Sequence, residues 1–394
     1  MEAEPQRSTF TLKNLLAVML VIAVLLGLAA PAIQAGREAA RRNQCSSRTK
    51  IIAMGLLNHH DIFKRFPPLS GQGDPDGSAD VWQTAPGSTF AANTPAPNGY
   101  AQSPASAAGY GWLVMILPYL EEHELFDALV AASDSFSYEA FSTTGARGLP
   151  FSVPGSANAH FATVQFEEFQ CPSVHGDGIS TASTGTARPP VTIAAYARLS
   201  NGSARLPSGV ATTNYVALSA THLACMGLGP GDPAYKDVEP PNGVIVPGKG
   251  LSMKSVVDGT SKTLILCETN EPAVSSWYDG TVCWTVGANP SASKQPAVNG
   301  NGWWSFPEGT TDACGLNFGP GAGGQPLFAP GGTTPAQLQP VSWGPSSYHI
   351  GGVVMHLACD GSSHAITSDI DPTLYLQLIT RAGREPVVVC DTAP

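Results

Sequence analysis

Charge is scarce in this chain. Asp, Glu, Lys and Arg make up 13 % of its 394 residues, about half the ~25 % usual for soluble domains, which argues against a bundle of charged helices. The eight cysteines (Cys45, Cys171, Cys225, Cys267, Cys283, Cys314, Cys359 and Cys390) form no C-x-x-C pair, so neither a zinc knuckle nor a thioredoxin-like motif is readable. An even count without metal spacing permits disulfides, which need an oxidising compartment, and equally permits buried free thiols. No G-x-S-x-G elbow supports an α/β-hydrolase. Gly259–Thr263 (G-T-S-K-T) ends like a phosphate loop but lacks the Gly before Lys, and no G-x-G-x-x-G opens a βαβ unit. His123-Glu124 begins like H-E-x-x-H, but Asp127 stands where the second His belongs. These absences lead to the expectation that the protein is not an enzyme and carries no catalytic residues, cofactor or metal.

What the chain does contain is an apolar run. Leu15 to Ile33 is 19 residues without a charge, nearly enough, at ~1.5 Å per helical residue, to cross a ~30 Å hydrocarbon core. The run has no polar face, and the Ala30-Pro31-Ala32 step is a poor cleavage site, so an uncleaved anchor is expected rather than a signal peptide. Net charge is −10. Residues 34–50 carry +4, through Arg37, Arg41, Arg42, Arg48 and Lys50 against Glu38, leaving −14 on the body. An acidic body does not attract phosphate backbones, so nucleic acid is not expected as a partner. The basic cluster beside the apolar run suits anionic lipid head groups. Counted by positive charge alone, the body would sit in the cytoplasm.

Six segments stand out: the stretch from Phe10 to Pro68, GWLVMILPYLEEHELF (Gly111–Phe126), FQCPS (Phe169–Ser173), TNYVALSA (Thr213–Ala220), VVDGTSKTLILCE (Val256–Glu268) and SSYHIGGVVMHLACDGSSHAI (Ser346–Ile366). Together they resemble the DUF1559 proteins, bacterial proteins with a prepilin-type N-terminal segment. The resemblance covers nearly the whole chain in the right order. It implies a type IV pilin-like or type II secretion pseudopilin-like protein, single-pass in the cytoplasmic membrane, with its bulk on the extracytoplasmic side; the expectation follows it over the charge count. Three departures stand out. Thr9 precedes Phe10 where the prepilin pattern has Gly, and a β-branched residue hinders the close approach a peptidase needs. Asn14 stands where the pattern has Glu. His349 is followed by ten residues before Asp360-Gly361, where the family has nine. The first two imply that the N-terminus stays uncleaved or is cleaved inefficiently, and the third implies a bulge or a shift of strand phase.

The organisation expected is a leader-like segment 1–14, a transmembrane helix 15–33, a helix extension 34–68, and an exported globular domain 69–394 with loop-rich insertions near 69–109 and 287–345. Ile52, Leu56 and Phe63 place an apolar stripe on the extension; Arg41, Arg42, Arg48 and Lys50 point elsewhere, and Pro67-Pro68 ends it. Pro118 to Ala132 is expected helical. Short β-prone runs follow at Phe161–Phe169, Tyr215–Ser219, Gly243–Val246, Thr263–Cys267, Thr281–Val286 and Val353–Ala358. Asp258-Gly259 and Asp360-Gly361 are turn signals, the latter between two strands. Asp371-Pro372 opens a last helix with Gly383 as its stop, and Val387–Val389 suits an edge strand. The fold class expected is α+β, a long N-terminal helix packed on an antiparallel sheet.

Candidate sites read more blandly. Asp74, Asp76 and Asp80 form a solvated acidic turn rather than a calcium loop. His59, His60 and Asp61 serve helix capping and solvation, since adjacent helical side chains point apart. His349 hydrogen-bonds a turn and Asp360 makes an Asx-turn. The role expected is a membrane-anchored pseudopilin-like assembly protein, with the lipid bilayer and self-association or pseudopilin-like subunits as partners. The alternative is a tethered extracytoplasmic binding module for glycans or surface proteins, with Trp303, Trp304 and Trp343 as flat aromatic faces.

Overall fold

A computed structural model describes residues 12–71, 110–132, 161–174, 178–180, 210–222, 225, 241–246, 250–270, 275–278, 280, 283–289, 294, 296–298, 304–310, 315–317 and 344–384. Thr9, Phe10, the Asp74–Asp80 turn, Trp303, Trp343, Cys314, Cys390 and Val387–Val389 lie outside them.

Helix α1 runs unbroken from Leu12 to Phe63, 52 residues with Pro31 inside; at ~1.5 Å per residue it is about 78 Å long. Its two halves differ chemically. From Leu12 to Ile33 every side chain is exposed, and thirteen of them are large and apolar. From Glu38 onward one face is buried: Glu38, Cys45, Thr49, Ile52, Ala53, Gly55, Leu56 and His59. Burying Ile52 and Leu56 contributes about 1.5–3 kcal/mol each. After Pro67-Pro68 the chain turns into the body.

The body is built on five strands in the order β11-β10-β6-β5-β7: β5 Tyr215–Ala220, β6 Leu264–Glu268, β7 Trp284–Val286, β10 Val353–Ala358 and β11 Ser363–Thr367. Four are antiparallel neighbours, but β7 pairs with β5 in parallel, so the sheet is mixed where a purely antiparallel one was expected. The α+β class holds. Two-residue pairs flank the sheet: β1 Ser70–Gly71 with β2 Tyr110–Gly111, β3 Ile179–Ser180 with β4 Val210–Ala211, and β8 Ala297–Val298 with β9 Trp304–Ser305. Strands β5, β6, β7 and β10 are buried along their whole length, because both faces are covered. One face packs Tyr215, Ala217, Leu266 and Leu357 into a core with Ile52 and Leu56 of α1 and with helix α2, Trp112–Ile116. The other packs Val216, Leu218, Leu264 and Val354 against Tyr375 and Ile379, in and just after the last helix, α4 (Pro372–Gln377).

Local signals hold where the pairing is local. Asp360-Gly361 joins β10 to β11 as a hairpin, and the Asp371 carboxylate accepts the Leu374 N–H (2.8 Å) with Pro372 at the first helical position. The last helix stops at Gln377, short of Gly383, whose N–H is taken instead by Asp258 (2.6 Å). Three expectations are corrected. Pro118–Ala132 is broken at Glu121, which takes a left-handed φ of 67°; a 3-10 turn at Leu117–Leu120 precedes helix α3, His123–Ala132. Phe161–Phe169 is not a strand but a turn ending in a 3-10 segment at Glu167–Phe169, because Phe166 and Phe169 both pack on the Trp277 ring. Gly243–Val246 is buried but joins no ladder; the Gly243 N–H bonds the Ser219 carbonyl (3.0 Å) and the Gly243 carbonyl accepts from the Arg381 guanidinium (2.7 Å).

Gly243 is a close approach: a Cβ there would collide with the Ser219 carbonyl oxygen, which is backbone and cannot swing away. Gly243→Ala is therefore expected to destabilise the body by about 1–3 kcal/mol, read as a lower urea midpoint with an unchanged m-value. An unchanged midpoint would show that the segment is free to move.

Candidate functional site

The residues that join α1 to the body form one buried constellation. The heptad-like spacing Glu38, Cys45, Ile52, His59, interleaved with Arg42, Thr49, Leu56 and Phe63, continues the apolar stripe upward through polar residues. Cys45 reaches Cys171, and the two form a disulfide (Cα–Cα 5.5 Å) across 126 residues of sequence. Thr49 Oγ1 and Tyr215 Oη both donate to the Cys45 carbonyl (2.7 and 3.3 Å). The Asn214 side chain accepts from the Cys171 N–H (2.7 Å) and donates to the Thr269 carbonyl (3.0 Å). Cys45 and Cys171 pack with Val353 and Met355 at the start of β10.

Next to the disulfide lies His349, buried between two carboxylates. Its Nδ1 is 2.7 Å from Glu38 Oε1 and 3.3 Å from Ser173 Oγ. Its Nε2 faces Glu268 Oε2 at 3.6 Å and Cys171 Sγ at 3.7 Å. Glu38 is held in turn by Arg42 Nε (3.3 Å), by Arg41 (3.6 Å) and by the Ile350 N–H (3.3 Å). Arg42 also donates to the Ile350 carbonyl, and Arg48 to the Gln170 carbonyl (2.6 Å). Glu268, at the end of β6, is fully buried; Oε2 accepts a long bond from the Met355 N–H (3.4 Å), while Oε1 has no hydrogen-bond partner.

These surroundings set the protonation states. Burial works against the imidazolium of His349, but Glu268 and Glu38 outweigh it and raise its pKa. Burial would raise Glu38 too, yet the His349, Arg42 and Ile350 bonds hold it below the usual carboxylate range. For Glu268 burial wins over His349, and its pKa is raised.

The sequence expectations land as follows. Asn14 lies on the exposed first turns of α1. Asp258 takes the Gly383 and Arg384 N–H groups (2.6 and 2.7 Å), and Gly259 beside it has a φ of 106°. The Asp360 carboxylate accepts the Ser362 N–H (2.8 Å), an Asx-turn, with Gly361 at a φ of 89°. His349 stands at the opposite end of β10 from Asp360, so the two are not a pair. Its partners are buried carboxylates rather than a turn, which corrects the bland reading. Between His349 and β10, Gly351 and Gly352 both take positive φ (88° and 68°), and the β10–β6 register shifts between Leu357 and Ala358. His59 Nδ1 pairs with the Arg65 carbonyl (3.0 Å), and His60 Nε2 accepts the Met253 N–H (3.1 Å); both tie loops to the helix end instead of facing solvent. Arg42 and Arg48 bind the body rather than standing free for lipid.

Glu38, Glu268 and the Cys45–Cys171 pairing were missed by the sequence reading. One signal pointed to them: five of the six quoted segments each place a residue here, namely Glu38 and Cys45, then Cys171, Asn214, Glu268 and His349. Within the constellation Ser173 Oγ is 3.3 Å from His349 Nδ1, but that nitrogen is engaged more closely by Glu38 at 2.7 Å. On the surface, Ser362 Oγ lies between Asp360 (2.6 Å) and His364 Nε2 (2.9 Å), but the carboxylate bonds the serine, not the imidazole it would have to orient.

The model of the family described as "Protein of unknown function (DUF1559)" matches residues 34–373. No curated protein and no solved structure matches the chain.

Proposed function

The chain belongs to the DUF1559 family, and we propose that this member is a single-pass, membrane-anchored assembly protein of pseudopilin type, with its body on the extracytoplasmic side and no catalytic role. One observation carries the reading: α1 is a single continuous helix whose first half exposes apolar side chains all round and whose second half is clamped to the body by a disulfide and a buried ion-pair network. A helix long and apolar enough to cross a membrane, with none of that stretch buried, has its lowest free energy in lipid. Glu38 lies five residues past Ile33, about 8 Å along the axis, so the clamp sits just above the membrane surface. Beside it the loop carrying His349 projects Tyr348 and Ile350, both exposed, residue types suited to the lipid–water boundary. The continuity of α1 through Ala30-Pro31-Ala32 supports an uncleaved anchor over a signal peptide.

Two observations support the outside placement against the charge count. A disulfide persists in an oxidising compartment, and Arg41, Arg42 and Arg48 are engaged by Glu38 and by backbone carbonyls of the body. In a clamped rod, force or position at the membrane is passed directly to the body, which suits a subunit that packs laterally through its helix.

The test combines topology with crosslinking. In spheroplasts a C-terminal tag is expected to be digested by added protease, and the intact chain to resist carbonate extraction. Single cysteines at Val18, Ile22 and Leu25 are expected to form crosslinked dimers in the membrane. A protected tag overturns the outside placement. Carbonate release overturns the anchor. Monomeric behaviour at all three positions overturns the assembly role in favour of a tethered binding module.

A further inference from the structure

Cys45, Cys171, Glu268 and His349 are all buried, and one donor atom from each lies within 4.8 Å of the other three. Two sulfurs, one imidazole nitrogen and one carboxylate oxygen are a donor set for a tetrahedral, thiophilic divalent cation, with ligand bonds of about 2.0–2.3 Å; hard cations such as Mg2+ and Ca2+ prefer all-oxygen shells. We propose that in the dithiol form of this protein these four residues bind one zinc-class divalent cation, so that the junction between helix and body is closed either by a disulfide or by a metal.

Two further observations point to a ligand. First, the orientation of His349 is already that of a metal ligand. Its Nδ1 is committed to Glu38, which is itself held by Arg42 and the Ile350 N–H, and its Nε2 faces Cys171 and Glu268. A carboxylate on the far nitrogen is the usual support for a metal-binding histidine, fixing its ring and tautomer. Second, Glu268 Oε1 is fully buried and has no hydrogen-bond partner. An unsatisfied carboxylate oxygen is costly to bury, and a cation beside it would supply the missing partner.

The two forms interconvert with balanced chemistry. An external dithiol attacks one sulfur of the disulfide, and its second thiol resolves the mixed disulfide; the dithiol leaves as a cyclic disulfide and the protein gains two electrons and two protons as Cys45–SH and Cys171–SH. The cation then displaces both thiol protons to solvent, along with any proton on Glu268 or on the His349 nitrogen that turns to it. In the disulfide form the sulfurs are bonded to each other and the donor set is incomplete. Both forms link the same points of α1 and the body, so reduction in the presence of metal does not release the helix. This inference rests on the junction alone and does not depend on the membrane reading.

The experiment uses full-length protein in detergent, reduced with a phosphine, its thiols counted by alkylation, and titrated with Co2+ as the spectroscopic probe. We expect one equivalent to bind with a sulfur-to-cobalt charge-transfer band and d–d absorption of tetrahedral intensity, both abolished by Zn2+ and absent from the oxidised protein. The double variant Cys45→Ser with Cys171→Ser is expected to lose the signal. Should that variant not fold, Glu268→Gln and Glu38→Gln decide. Glu268→Gln is expected to weaken binding by about tenfold or more, and Glu38→Gln by about 10–100-fold through the orientation of His349. No stoichiometric uptake by the reduced protein overturns the proposal, as does wild-type affinity in both Glu variants or equal binding by the oxidised protein. The last two outcomes would assign the signal to other cysteines.

Discussion

Cutting the Cys45–Cys171 disulfide in metal-free protein is expected to cost about 2–5 kcal/mol, toward the upper end because the bond closes a long loop. The two cysteines are 126 residues apart, so the cross-link removes many conformations from the unfolded chain and few from the folded one. The bond also holds α1 against β10 beside Val353 and Met355. Cys45→Ser, Cys171→Ser and the double variant should fall equally, since each removes the same bond. Urea midpoints of the detergent-solubilised protein measure the loss. Limited trypsin digestion locates it: Arg41, Arg42 and Arg48 lie on the clamped half of the helix, and their cleavage should speed up. A midpoint within about 0.5 kcal/mol of wild type would mean that the Glu38–His349 network and the apolar stripe hold the helix unaided.

Stability is expected to fall steeply as pH drops from 6.5 toward 4, more steeply than exposed histidines would allow. Among the described residues, three histidines are buried in states that resist protonation. Burial lowers His59 to about 4, with the charges of Arg65 and His60 adding to it against the Arg65 carbonyl bond. Burial lowers His222 to about 4. Burial lowers His356 to about 3, helped by the charge of His364 and opposed by the Val354 carbonyl; its Nε2 also meets Tyr375 Oη at 2.8 Å. A histidine whose folded pKa is depressed binds its proton first in the unfolded chain. Its contribution is therefore complete above the unfolded value near 6.5 and is lost as pH falls toward the folded value. Each pKa unit is worth about 1.4 kcal/mol, so three such groups together give a slope of roughly 4 kcal/mol per pH unit through the middle of that window. His349 works in the opposite sense and on the other side: its raised pKa gives stability that is present below about 6.5 and lost as pH rises through the folded value. Urea midpoints at pH 7, 6 and 5 test this, and His356→Gln should remove about a third of the slope. A flat profile between pH 7 and 5 would refute it.

The apolar half of α1 was legible from composition, and the stripe Ile52, Leu56, Phe63 from its period. The stripe's continuation was not, because Glu38, Arg42, Cys45, Thr49 and His59 keep the spacing but are polar, and polar residues at core positions read as a solvated face. The Asp360-Gly361 hairpin and the Asp371 cap were legible because each is settled within a few residues. The runs Phe161–Phe169 and Gly243–Val246 misled for the opposite reason: their β-prone composition is real, but Trp277, Ser219 and Arg381, all distant in sequence, claim their side chains and backbone.

Hydrophobic run length, turn chemistry and helix period are short-range physics, and they sufficed to specify an anchor-like helix, an α+β body and several of its local elements. Strand order, the parallel placement of Trp284–Val286 and the junction of Glu38, Cys45, Cys171, Glu268 and His349 depend on which surfaces meet after collapse. No metal or catalytic spacing is legible along the chain, because Cys45, Cys171, Glu268 and His349 lie tens to hundreds of residues apart. Packing α1 across β10 and the end of β6 is what draws them within bonding reach, and a buried charge finds its partner only once that packing is made.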